Sequence, residues 1–72
     1  MDYSKLNGKV REVYKTQKAF SEALGMSLSA VNQRLNGGIQ WTSPEIVKAC
    51  EALNIPLSEA HLYFFAQKVE EI

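Results

Sequence analysis

Gly25 constrains this chain more than any other residue. It separates two short runs, Gln17 to Leu24 (QKAFSEAL) and Met26 to Asn36 (MSLSAVNQRLN), each with apolar residues at helical spacing. The first run places Ala19, Phe20, Ala23 and Leu24 on one side. The second places Leu28, Val31 and Leu35 at i, i+3 and i+7. Helices often end on a residue at positive φ, a conformation open to Gly at little steric cost. Ser27 follows as an N-cap whose hydroxyl can take an otherwise unpaired N–H of the next helix. Two helices joined by a sharp glycine turn form a helix-turn-helix, and Ser21 is small enough to lie in the angle between them.

With Leu28, Val31 and Leu35 assigned largely inward, the second helix is left showing Ser27, Ser29, Ala30, Asn32, Gln33 and Asn36, with Arg34 its one cation. A merely solvated helix face would more commonly carry Glu and Lys. Amides can pair bidentately with adenine N6 and N7, and serine can bond either base type. The face therefore reads as a DNA-reading surface, against the plainer alternative of a polar helix poor in charge.

At 72 residues the chain has room for one domain with a small core. A hydrophobic fraction of 46% with 22% charged residues fits a folded chain. No apolar run is long enough to span a bilayer and no leader pattern is visible, so a cytosolic protein is expected. The lone Cys50 lies in an apolar helical pattern and reads as a small buried hydrophobe.

The formal net charge of zero argues mildly against nucleic acid. Its distribution argues the other way. Residues 1–38 carry Lys5, Lys9, Arg11, Lys15, Lys18 and Arg34 against Asp2, Glu12 and Glu22, a net +3, and residues 39–72 carry the balancing −3. The cations gather in the half that holds the reading helix.

Along the chain, Tyr3, Leu6, Val10, Val13 and Tyr14 give an amphipathic first helix over 3–14. Thr16 is an N-cap for the helix starting at Gln17, whose N-terminus could hold a phosphate. Trp41 reads as a lid on the core. Thr42-Ser43-Pro44-Glu45 is a strong helix start, and Ile46, Val47, Cys50 and Leu53 form the inward stripe of a fourth helix that Asn54 and Pro56 end.

From His61 to Phe65 the chain is too continuously apolar for a simple surface helix. Residues 63–72 are read as an aromatic tail beyond a domain of residues 1–62. Tyr63, Phe64, Phe65 and Val69 would contribute to a homodimer contact, as helix or edge strand; the alternative is a core that wraps both faces. One His and one Cys with scattered acids make neither a catalytic group nor a metal site, so no enzyme activity, small-molecule substrate, cofactor or metal is expected.

The pattern Gln17, Phe20, Ser21, Gly25, Val31, Leu35, Asn36, Gly37 resembles the lambdoid phage Cro and repressor family over about residues 3–62, and the ending with Ile55-Pro56 and Tyr63-Phe64-Phe65 is similar to small Cro-like proteins of Gram-positive prophages. The resemblance implies an all-α bundle of about five short helices, helix-turn-helix at helices 2 and 3, with the third helix in the major groove. It also implies base contacts from Leu28, Ser29, Asn32 and Gln33, and backbone contacts from Gln17, Ser27 and Asn36. Lys18 and Arg34 would add phosphate contacts. Leu28, standing where the family often has a polar reader, would meet a thymine methyl. Two functions follow as expectations. One is a transcriptional repressor binding a pseudo-palindromic DNA operator as a dimer, with half-sites roughly 34 Å apart. The other is a protein-interaction module, an anti-repressor or adaptor that uses the same fold and the aromatic tail.

Overall fold

Each helix begins and ends where its terminal polar groups find partners. The computed structural model describes residues 2–65. Helix α1 (Ser4–Tyr14) starts beside Asp2, whose carboxylate accepts the Ser4 N–H at 2.8 Å. Helix α2 (Gln17–Leu24) is capped by Thr16, whose Oγ1 accepts the Ala19 N–H at 3.1 Å. It stops at Gly25, which is left-handed at φ 69°. Helix α3 (Leu28–Leu35) is capped by Ser27, whose Oγ accepts the Ala30 N–H at 3.1 Å. Helix α4 (Ser43–Leu53) opens on a full capping box, with Thr42 Oγ1 accepting the Glu45 N–H and Glu45 Oε1 accepting the Thr42 N–H. It ends on left-handed Asn54, and a 3₁₀ turn (Leu57–Glu59) leads into the short α5 (Ala60–Phe64).

The fold is all-α: the described residues form five helices and no strand. Helix α2 packs on α1, α3 and α4, and α5 closes the far side against α1 and α4. The core is built from Tyr3, Leu6 and Val10 of the first segment, Phe20 and Leu24, Val31 and Leu35, Trp41, then Ala49, Cys50, Leu53, Ile55, Ala60 and Phe64. Tyr14 ties α1 to the end of α4, its hydroxyl donating to the Ala52 carbonyl at 2.8 Å while its ring meets Phe20 at 5.6 Å. Ser21 is 2% exposed, and its hydroxyl donates to the Lys18 carbonyl. Its small side chain is buried on the helix that packs against α1, α3 and α4.

Several residues assigned inward lie outside. Val13, Ala23, Leu28 and Val47 are exposed, and the buried stripe of α4 is Ala49, Cys50 and Leu53. Helical spacing defines a stripe wider than the face these short helices bury, so apolar residues at its edges remain in water. The expected boundary between residues 62 and 63 falls inside α5, and Phe64 is a core residue.

Lys15 is a non-glycine residue at φ 70°, ψ −40° between α1 and α2. An L side chain there carries a steric penalty that glycine escapes. Even against glycine's larger loss of chain entropy, Lys15→Gly should raise the unfolding free energy by about 0.5–1 kcal/mol. A urea titration checks this, and a lowered midpoint would show that the lysine side chain contributes more than its backbone loses.

Candidate recognition surfaces

Two surfaces stand out. On the first, α3 presents Leu28 (40% exposed), Ser29, Gln33 and Asn36 to solvent, with Asn32 half-buried between them. The side-chain amides of Asn32 and Gln33 make no hydrogen bond among the described residues. Ser27 is exposed, though its hydroxyl already serves as the α3 cap. Asn7, Val10, Arg11, Lys15, Thr16 and Gln17 line a cleft of about 120 Å³ at the N-terminus of α2, and Lys18 is exposed beside it. Of the base and phosphate candidates named from sequence, Arg34 alone makes an ion pair among the described residues.

Arg34 points along α3 into the start of α4 instead of outward. Its Nε donates to Glu45 Oε1 and its Nη2 to Glu45 Oε2, both at 3.0 Å, and its Nη1 donates to the Ala30 carbonyl at 3.0 Å. The side chains of Arg34 and Glu45 are only 15% and 22% exposed. Arg34 is the one cation of α3, so this helix shows no free positive charge. Arg34 was expected to grip phosphate; here the capping carboxylate of α4 occupies the fork that a phosphate would need.

The same contact holds the Glu45 carboxyl below its ordinary value of 4.5, chiefly through the Arg34 guanidinium and then through the Thr42 N–H. A carboxyl whose folded pKa is depressed stabilises the fold above its unfolded pKa, and that contribution is lost as pH falls through the folded value. Acidifying the native chain below about pH 4.5 should therefore lower its melting temperature more steeply than it lowers that of Glu45→Gln. Parallel acid limbs for the two would assign the acid sensitivity to other carboxylates.

The second surface is the aromatic edge. Tyr3, Gln40, Trp41, Ile46, Phe64 and Phe65 line an open cleft of about 130 Å³. The Trp41 indole stacks edge-on against Phe64 at 5.2 Å and 82°. Its Nε1–H is buried without an acceptor among the described residues, although native proteins satisfy most such donors. Phe65 is 55% exposed, and Leu62 of α5 and Leu57 of the preceding 3₁₀ turn are exposed as well. Tyr63 is half-buried under the Lys5 ammonium, 5.0 Å from the ring centroid. Of the residues proposed for a dimer contact, Phe65 and part of Tyr63 remain available. Phe64 does not, because its side chain fills the core, and Val69 lies outside the described residues. Trp41 was legible as a lid on the core; its unpaired N–H was not, since that depends on what surrounds it in space. The described residues contain no group of three or more metal-ligating side chains, and none of their helices is long and apolar enough to cross a membrane.

The described residues define a small all-α protein of five helices. The chain belongs to the family described as "Protein of unknown function (DUF739)", whose model matches residues 1–67. Among solved structures it is similar to the modulator of repression (MOR) of the temperate bacteriophage TP901-1 from Lactococcus lactis. That match has a TM-score of 0.80 and 39% identity, and covers 96% of this chain and 93% of that one. No curated protein matches. Neither finding points to the lambdoid Cro and repressor family in particular.

Proposed function

We propose that the chain is a regulator in a temperate phage's repression circuit and that it works by binding another regulatory protein through its aromatic edge, as an anti-repressor or adaptor. The observation that carries this reading is the Trp41 cleft, where an unsatisfied buried N–H sits beside an exposed phenylalanine. A segment that brings an apolar side chain into the cleft would cover Phe65 and pack against the Trp41 ring. Aromatic anchors of this kind are the residues on which protein interfaces concentrate their energy. The name of its 39%-identical structural relative, a modulator of repression, supports the same regulatory setting. The Arg34–Glu45 pair supports a protein partner from the other side, because a helix whose only cation is neutralised is poorly equipped for phosphates.

The test is calorimetric titration against candidate repressor proteins of the same genome, with a random duplex at low salt alongside. One of the proteins should bind, and Phe65→Glu should remove that binding while leaving the fold intact. If no protein binds and the duplex does, losing affinity as salt is added, the reading fails.

The exposed amides of α3 favour a second reading, operator binding by a dimer. On that reading Asn32→Ala or Gln33→Ala relaxes specificity at single base pairs by about 1–3 kcal/mol. Equal losses on specific and random DNA would remove these residues from a reading role.

A further inference from the structure

We propose that Glu45 sets the class of partner that the helix-turn-helix face accepts: by filling the guanidinium fork of Arg34, it keeps α3 from gripping a phosphate. The inference rests on the protein-binding reading above and adds the residue that enforces it.

An arginine fork matches a carboxylate and a phosphate equally well, because both offer two oxygens at the spacing of two parallel N–H donors. Here the carboxylate is already in place, with both contacts at 3.0 Å, and the remaining terminal nitrogen is tied to Ala30 on the same helix. Glu45 is also held independently of Arg34. It accepts the Thr42 N–H at 2.9 Å and lies in the first turn of α4, where the helix dipole favours negative charge. A phosphate would therefore have to displace a counter-ion that is pre-organised and connected to the chain. Position 34 is the only cation that α3 carries, so the choice made there applies to the whole reading helix. Lys18, on α2, makes no ion pair among the described residues and stays available, but it lies outside α3.

Glu45→Gln isolates the effect. A glutamine oxygen can still accept the Thr42 N–H, since capping boxes use Glu or Gln alike, while the charge that holds Arg34 disappears. Fluorescence anisotropy with a labelled random-sequence duplex, between about 50 and 200 mM salt, reads the result, with circular dichroism confirming the fold. Glu45→Gln should bind about tenfold more tightly than the native chain at low salt, the effect of one added contact to a charged group. Its salt slope should be steeper by about 0.9, and adding Arg34→Gln should return both to native values. Arg34→Gln alone should leave duplex affinity unchanged, a check that does not depend on altering Glu45.

No gain in Glu45→Gln, or a gain that survives Arg34→Gln, overturns the proposal while leaving the protein-binding reading standing. If the native chain already binds the duplex with a salt slope that Arg34→Gln flattens, the fork is open, and the proposal and the protein-binding reading fall together.

Discussion

Phe64→Ala lowers the unfolding free energy by about 3–5 kcal/mol, whereas Phe65→Ala, one residue further on, changes it by less than about 0.5 kcal/mol. The contrast follows from burial alone: Phe64 is 1% exposed and Phe65 55%. Truncating Phe64 removes a ring that closes α5 onto the core and leaves Trp41 without its edge-on partner. A domain of this size has few kcal/mol to lose, so the variant should be largely unfolded at 37 °C. Denaturant melts of the two variants check this, and a similar loss for both would mean that α5 is packed differently from the arrangement described.

Ser21→Leu is the second large effect, a destabilisation of about 1–3 kcal/mol. Ser21 is buried, in the helix that packs directly on α3, and its only polar group is satisfied within α2 itself. A larger side chain has no solvent to escape into and must push α2 away from the helices packed on it. Ser21→Ala is the control, since it removes the hydroxyl without adding volume, and it should be nearly neutral. If Ser21→Leu proved as stable as the native chain, the packing around Ser21 would have to be looser than its burial implies.

Much of the architecture could be read directly because it rests on local chemistry. The left-handed Gly25, the caps at Thr16, Ser27 and Thr42, the Pro44 and Glu45 of the fourth helix and the buried Cys50 all follow from what one or two neighbouring residues require. What escaped was decided across the fold. Periodicity placed Val47 on the inner face of α4, but packing chose Ala49. In the run from His61 to Phe65, consecutive apolar residues cannot all face inward, and nothing in their order says that Phe64 goes in while Phe65 stays out. Arg34 and Glu45 are eleven positions apart in different helices, and each has a reasonable local role, so their pairing appears only once α3 and α4 are placed. That pairing changed the functional balance, because it removed from α3 the charge on which its reading as a phosphate-gripping helix depended.

The single tryptophan allows the central claim to be tested in one experiment, in which the ¹⁵N-labelled chain is titrated with its candidate repressor partner and, separately, with a random duplex at low salt. The Trp41 indole N–H gives one unambiguous signal. The account predicts that this signal moves when the protein partner is added, together with the amide of Phe65, and that the duplex moves neither of these two signals. A still indole, with duplex-induced shifts at Ser29, Asn32 and Gln33 that fade as salt is added, would contradict it.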